Sequence, residues 1–285
     1  MSTLIAAAAC SVWLAHADSA GARPLLTGTI TSGSFASAAG LLAYDIYLPP
    51  GYDSSGRRYP VIYYLHGLPA AGAAFHTFVY VAQALETAQL GAIVVAPQGS
   101  TDEDRDPEYL DAGSGSEWDT AIAVQLPQVI DRTFRTIADR SGRAIVGVSA
   151  GGYGAMLLGL HHLRLYSAIE SWSGYFHPTD PRGTRSIDSR PWLSAHSFVA
   201  SLPRAFAVNP TFLGFYVGAD DRLFRTENVE FARELSRARA DFLFRIYPGG
   251  HNQRLWTAQA PSWLALLLEH LAPPQAAQLT SDVGA

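Results

Sequence analysis

Short apolar segments alternate with helical patterns along most of this chain of 285 residues. The apolar segments are continuous, which is typical of strands buried on both faces of a parallel sheet. The helical patterns carry apolar residues three and four positions apart. Strand alternating with helix predicts an α/β fold with a mainly parallel central sheet and helices on both faces. The predicted strands are Val61–Leu65, Ala92–Ala96, Ala144–Val146 and Phe212–Val217, with Ala43–Leu48 as a half-buried edge strand, and the helical patterns occupy 78–85, 121–130, 229–235 and 263–271.

The absence of lysine narrows the chemistry open to the chain. Every basic residue other than histidine is arginine, which excludes a Schiff base, a phosphate-binding P-loop lysine and a Ser-Lys dyad. Any serine nucleophile must therefore use histidine as its base. A net charge of −5, without a basic run, argues against nucleic acid as the partner.

Length and composition favour one large domain. At 48% hydrophobic residues, a chain of this size can bury a core that needs no disulfide or metal to hold it. We expect a single domain over residues 18–272, followed by a flexible tail at 273–285. A segment rich in Pro, Arg, Ser and aromatics, residues 175–209, predicts either a lid over the working edge of the sheet or a surface excursion without substrate contact.

The N-terminus carries an apolar stretch that is too short to span a bilayer. It ends in an A-x-A pattern, so residues 1–17 are predicted to be a secretory signal peptide, with a disordered or helical arm as the alternative. The only cysteine, Cys10, lies in this stretch, which leaves no partner for an intrachain disulfide. The leader predicts a secreted or extracytoplasmic protein, with a cytoplasmic one as the alternative if this stretch is not a signal, and no transmembrane segment is expected.

A G-x-S-x-G pentapeptide, Gly147–Gly151, lies between a predicted strand and a helical pattern. A strand-to-helix elbow needs small residues around a serine that is held in a strained turn, so Ser149 is predicted to be a nucleophile. The alternative is an ordinary helix N-cap serine. In open parallel sheets ligands bind at the carboxyl ends of the strands, where this elbow would lie.

A nucleophilic serine needs a base and an acid that orients it. His251 follows a predicted strand over 242–246, the expected place for the base. His161 and His162 lie on the helix after the elbow and are interpreted as surface or packing residues. Three further candidates lack a strand-end position and are interpreted as structural, with contact to a ligand as the alternative: His76, His177 and His196.

The acid must come between Ser149 and His251 in chain order, and the strand end at Val217–Gly218 leaves Asp220 and Asp221 as candidates. The oxyanion of a tetrahedral intermediate needs two N–H donors. Ala150, directly after the nucleophile, is one predicted donor. The loop after the first buried strand supplies the other from Leu68, since Pro69 has no N–H.

No cofactor and no metal are expected, because no Cys/His cluster and no H-x-x-x-H pair occurs. The acidic run Asp102–Asp104 is interpreted as a solvated turn, with a calcium loop as the alternative. The expected partner is a small-molecule or polysaccharide-linked ester. Four aromatic residues are predicted to shape its pocket: Phe75, Tyr153, Trp192 and Phe224.

Together these motifs resemble the esterase-D-like branch of the α/β hydrolases, which includes S-formylglutathione hydrolases, feruloyl esterases and mycolyltransferases. The resemblance implies a triad of Ser149, Asp221 and His251, and selects Asp221 over Asp220 because the acid of relatives is the third residue after such a glycine. It runs from about residue 44 to 271 and rests on Tyr47–Tyr52, Tyr64–Leu68, Arg135–Arg140, Gly147–Ala155, Gly218–Asp221 and Gly249–His251.

The function predicted from these residues is a secreted serine carboxylesterase that acts on aryl, feruloyl-type or short-chain acyl esters. Acyl transfer to a sugar or another alcohol is the first alternative, since it uses the same acyl-enzyme. A non-catalytic binding module on the same fold is the second.

Overall fold

The computed structural model describes residues 26–68, 72–101, 108–180 and 185–276 of the chain. The predicted signal peptide, the acidic run at 102–104 and the end of the predicted tail lie outside them. No helix of the described part of the chain is long and apolar enough to cross a membrane.

Eight strands form one sheet within the described residues. They are β1 (Thr29–Ser37), β2 (Gly40–Leu48), β3 (Val61–Leu65), β4 (Ile93–Pro97), β5 (Arg143–Val148), β6 (Ala168–Trp172), β7 (Phe212–Gly218) and β8 (Leu243–Tyr247). Their order across the sheet is β1-β2-β4-β3-β5-β6-β7-β8. The first two pairings are antiparallel and all others are parallel. The predicted mainly parallel α/β architecture is confirmed.

Two strands were not predicted. β1 pairs along the outer side of β2, so the strand expected at the edge lies one position inside it. Most residues of β1 are small or polar, and most are exposed. The strand therefore lacks the continuous apolar run by which the central strands were predicted. β6 is fully buried but contains Glu170 and Ser171, and these polar residues interrupt the apolar pattern.

The helices lie on both faces of the sheet. They are α1 (Tyr52–Ser55), α2 (Val79–Thr87), α3 (Leu126–Thr133), α4 (Ala150–His161), α5 (Leu202–Val208), α6 (Arg225–Ala238) and α7 (Gln253–Glu269). A π-helical turn, Thr120–Gln125, leads into α3. The predicted helical patterns at 78–85, 121–130, 229–235 and 263–271 fall on α2, the start of α3, α6 and α7.

Alternation along the central strands divides the core into two apolar layers. Tyr63 and Leu65 of β3 face the layer that also holds residues of α4 and α6. Ile62 and Tyr64 of the same strand face the other layer, which holds residues of α2 and α7. A strand buried on both faces cannot show polar alternation, which explains the continuous apolar runs of the sequence.

The predicted lid-like segment leaves the sheet after β6 and returns at β7. It contains two 3₁₀ helices, Pro191–Leu193 and Ala195–Ser201, before α5. We call its described residues, 175–180 and 185–209, the insertion. Past α7, the first residues of the predicted tail are held to the domain, because Arg58 and Gln275 exchange both backbone hydrogen bonds.

Candidate active site

Ser149 occupies a sharp turn between β5 and α4. Its backbone has φ 57° and ψ −122°, a left-handed conformation that is strained for any residue with a side chain. Its side chain makes no N-cap hydrogen bond to α4, which disfavours the N-cap interpretation. Its backbone N–H donates to the carbonyl of Trp172 on β6 (3.0 Å), which fixes the turn to the neighbouring strand. The residue is 8% exposed.

The glycines of the pentapeptide are required by close backbone contacts. A Cβ at Gly147 would lie 2.0 Å from the carbonyl oxygen of Gly151, and a Cβ at Gly151 would lie 2.1 Å from that of Leu65. No side chain fits at either position, so β3, β5 and the start of α4 meet only because both residues are glycine.

His251 bridges Ser149 and Asp221. Its Nε2 lies 2.8 Å from Ser149 Oγ, and its Nδ1 lies 2.8 Å from Asp221 Oδ2. The imidazole is 18% exposed and is flanked edge-on by the rings of Phe224 and Trp256, each with its centroid 5.2 Å away. The imidazole is thus held between two hydrogen-bond partners and two aromatic rings.

Asp221 is the aspartate that the structure brings to His251. Its side chain is 0% exposed, and its second oxygen accepts hydrogen bonds from the backbone N–H groups of Leu223 (3.0 Å) and Phe224 (3.1 Å). These donors fix the orientation of the carboxylate. Asp220 is exposed, and its backbone N–H donates to the carbonyl of Gly249.

The loop after β3 lies directly against the elbow. A Cβ at Gly67 would be 3.0 Å from Ser149 Cβ and 2.9 Å from the carbonyl oxygen of Val148. Leu68 is the next residue along this loop. Ala150 is the first residue of α4, so its N–H has no partner within the helix. Both predicted oxyanion donors therefore belong to segments that border the serine.

His66 holds this loop in place, a role that the sequence analysis did not foresee. The backbone N–H of Gly99 donates to its Nε2 (3.2 Å), so the ring proton is on Nδ1, which donates to the carbonyl of Gly67 (3.1 Å). Tyr109 donates a further hydrogen bond to the His66 carbonyl (2.5 Å). Burial lowers the pKa of His66, against the smaller opposing effect of the hydrogen bond to Gly67. The neutral ring thus fixes the loop.

Two of the four predicted pocket residues lie beside the candidate triad. Phe224 packs on His251, and its ring centroid is 4.8 Å from that of Tyr175. Tyr175 in turn stacks on Tyr153 (5.1 Å), whose hydroxyl donates to the carbonyl of Leu193 (2.7 Å). These side chains form an apolar cluster, the aromatic wall, whose buried members are Ala150, Tyr153, Leu157, Tyr175, Leu193 and Phe224, with Leu68 packed against it.

The other two predicted pocket residues are not members of this cluster. Phe75 is buried in the apolar layer that faces α2 and α7. Trp192 is 56% exposed and its ring lies 5.6 Å from the guanidinium of Arg190. Tyr175 and Leu193, which both belong to the insertion, are members of the aromatic wall that were not predicted. No sequence signal marked Tyr175, because the strand that it follows, β6, was not predicted.

Most of the other histidines are also paired with carboxylates. His76 binds Asp45 (2.6 Å), and His161 and His162 share Asp119 (2.7 and 2.5 Å). His177 and His196 both approach Glu227 (2.5 and 3.3 Å). Among the hydrogen bonds between described residues, the only imidazole bonded to a serine hydroxyl is that of His251.

The sheet, the elbow and the strand-end histidine define an α/β hydrolase. The chain belongs to the esterase family, since the family model described as "Putative esterase" matches residues 42–267. Esterase Rv1288 of Mycobacterium tuberculosis is 32% identical over 130 residues, which make up 46% of this chain and 28% of that protein. The match thus covers little more than a quarter of the length of this curated relative.

Solved structures of low sequence identity share the fold. A ferulic acid esterase superposes with a TM-score of 0.70 at 21% identity, covering 86% of this chain and 99% of that one. An S-formylglutathione hydrolase from Agrobacterium tumefaciens gives a TM-score of 0.70 at 19% identity, covering 88% and 98%. The resemblance to the esterase-D-like branch is confirmed.

Proposed function

We propose that this chain is a secreted serine carboxylesterase that forms an acyl-enzyme on Ser149. The observation that carries the proposal is the continuous line of hydrogen bonds from Asp221 through His251 to Ser149, each 2.8 Å long, at a strained elbow. Membership of the esterase family supports the same reaction class. Secretion rests on the predicted leader at residues 1–17.

In the proposed reaction His251 Nε2 takes the proton of Ser149 as the serine oxygen attacks the ester carbonyl. Asp221 holds the imidazole with its Nδ1–H toward the carboxylate and stabilises the imidazolium that forms. The oxyanion is assigned to the backbone N–H groups of Ala150 and Leu68, each worth about 3 kcal/mol of transition-state stabilisation. His251 then protonates the leaving alcohol, and water attacks the acyl-enzyme in the same way.

The aromatic wall favours an ester with a flat or short apolar acyl group. Phe224, Tyr175 and Tyr153 form a buried row of rings that starts against His251 and gives this side of the site an apolar border. An apolar border suits an aryl or short acyl group, so a feruloyl-type ester is the first substrate to try.

The test compares Ser149→Ala with wild type on a p-nitrophenyl ester and on methyl ferulate, and labels both proteins with a fluorophosphonate probe. We expect loss of labelling and of hydrolysis in the variant. Ser262→Ala is the matched control, because Ser262 is exposed on α7 and bonds only its own helix. Hydrolysis retained by Ser149→Ala would overturn the proposal. Ester products in place of free acid, with excess alcohol present, would move the assignment to acyl transfer.

A further inference from the structure

Three side chains from distant parts of the sequence meet where the insertion packs on α6. His177 comes from the start of the insertion, His196 from its second 3₁₀ helix and Glu227 from the first turn of α6. One ligand atom of each lies within 4.8 Å of the other two. Nδ1 of His177 is 2.5 Å from Glu227 Oε1, and Nε2 of His196 is 3.3 Å from the same oxygen.

His196 is oriented by a second carboxylate. Its Nδ1 lies 2.6 Å from Oε2 of Glu234, which lies two helical turns after Glu227 on α6. This contact fixes Nε2 of His196 toward Glu227 and His177. A histidine that donates its far N–H to a carboxylate, with the other nitrogen facing a ligand group, is the usual arrangement of a metal-ligating histidine. The carboxylates of Glu227 and Glu234 supply negative charge that a bound cation would neutralise.

The spacing suits a small transition metal ion. Zinc–nitrogen and zinc–oxygen bonds of about 2.0–2.2 Å place tetrahedral ligand atoms roughly 3.4 Å apart. The distances of 2.5 and 3.3 Å reach that spacing with shifts of about 1 Å or less. The cluster borders a cavity of about 320 Å³ that also contacts Thr179, Arg185 and Glu230, which leaves room for a water at the fourth position.

We propose that His177, His196 and Glu227 bind a divalent transition metal ion, with Zn²⁺ the best match to two imidazoles and one carboxylate. The ion clips the insertion to α6. Glu227 lies three residues after Phe224 on the chain, and its Oε1 also accepts from the backbone N–H of Phe176 (3.0 Å), next to Tyr175. A metal there holds the two segments that carry Phe224 and Tyr175, so the site is structural and not catalytic.

This inference revises the expectation of no metal. His177 and His196 are 19 positions apart, and His196 and Glu227 are 31 positions apart. A local motif such as H-x-x-x-H therefore cannot identify these three residues as ligands. Only the packing of the insertion on α6 brings them together.

The experiment uses the full chain, stripped with a chelator and titrated with ZnCl₂. We expect one Zn²⁺ per chain by calorimetry. At zinc concentrations about 100 times the dissociation constant, we expect a rise in Tm of roughly 5–10 °C. His177→Ala and His196→Ala should each abolish stoichiometric binding and the zinc-dependent rise. Glu234→Gln keeps all three ligands and should weaken zinc binding about 10–100-fold.

Two controls separate this site from other histidines. His161→Gln changes the cluster at Asp119, and His251→Ala removes the imidazole beside Ser149; both variants should keep the full zinc-dependent rise. Comparing each variant with and without zinc cancels any loss of stability from the substitution itself. An equal rise in His177→Ala and His196→Ala, or no stoichiometric binding to wild type, would overturn the proposal and leave the cluster as an ion pair only.

Discussion

His251 and His161 are paired with aspartates in nearly the same way. Nδ1 of His251 lies 2.8 Å from Asp221, and Nδ1 of His161 lies 2.7 Å from Asp119. The difference is at the other nitrogen. Nε2 of His251 meets the hydroxyl of Ser149 (2.8 Å), whereas Nε2 of His161 meets the carbonyl of Trp192 (2.8 Å). A hydroxyl can give up a proton to the ring, but a carbonyl can only accept one.

The two aspartates are held differently as well. Asp221 accepts backbone N–H groups on the oxygen that does not meet His251. Asp119 gives one oxygen to each of two imidazoles. Burial raises the pKa of Asp119, but the hydrogen bonds from His161 and His162 outweigh burial and lower it. For His161 the signs are reversed. Burial lowers the pKa of its imidazole, but the hydrogen bonds to Asp119 and to the Trp192 carbonyl outweigh burial and raise the pKa. The Asp119 group is thus a structural ion pair, while His251 faces a hydroxyl that it can deprotonate.

The largest expected effect comes from removing the imidazole beside the serine. His251→Ala should lower kcat/KM by about 10⁴-fold or more, since no other base is in reach of Ser149 Oγ among the described residues. His161→Ala should leave kcat/KM within about threefold of wild type. Steady-state kinetics on a p-nitrophenyl ester measures both. Equal losses in the two variants would mean that the partner of Nε2 does not distinguish the pairs.

The aspartates test the same comparison from the other side of the ring. Asp221→Asn should lower kcat/KM by about 10³–10⁴-fold, because an amide at this position favours the wrong imidazole tautomer. Asp220→Asn is the matched control on the adjacent, exposed residue and should remain near wild type. The reverse result would transfer the acid's role to Asp220.

The predictability of the site differed from residue to residue. Ser149 and His251 could be found because each follows a strand beside glycines: backbone contacts require Gly147 and Gly151, and the positive φ of Gly249 (125°) favours glycine before His251. Residue patterns alone left Asp220 and Asp221 open, since adjacent side chains in a turn point in different directions. Contacts made across the fold left no local signal: the orientation of His66, the place of Tyr175 in the aromatic wall and the meeting of His177, His196 and Glu227.

The fold shows the same division. Central strands such as β3 and β4 are buried on both faces, so their apolar runs are continuous and easily found. β6 is equally buried, yet Glu170 and Ser171 break its run. Trp172 donates its indole N–H to Glu170 (2.8 Å), and burial raises the pKa of this glutamate, against the smaller lowering effect of that bond. A buried polar partner of this kind is visible only after the strand is in place.

A smaller effect on kcat/KM is expected from a substitution in the loop after β3. This loop borders Ser149, the partner of His251, whereas the partner of His161 is the Trp192 carbonyl. Gly67→Ala would place a Cβ 3.0 Å from Ser149 Cβ and 2.9 Å from the Val148 carbonyl. The loop or the elbow must then shift, and kcat/KM should fall by about 10²-fold. Gly250→Ala is the control, because its Cβ would meet nothing closer than 3.6 Å. Wild-type activity in Gly67→Ala would show that the loop does not position an oxyanion donor.

The smallest effect is expected on stability, at the structural pair. Asp119→Asn should lower the free energy of unfolding by about 1–2 kcal/mol near pH 5.5 while leaving kcat/KM unchanged.

The pH at which this effect is largest follows from the two pKa shifts. The raised pKa of His161 stabilises the fold fully below its ordinary value of 6.5, and this is lost as the pH rises through the folded-state value. The lowered pKa of Asp119 contributes above its ordinary value of 3.8 and is lost as the pH falls. Both contributions are present together between these values. Urea unfolding of wild type and variant at about pH 5.5 and about pH 9 should therefore give a larger difference at the lower pH. A difference that is equal at both pH values would mean that His161 is neutral and that the Asp119 group is not an ion pair.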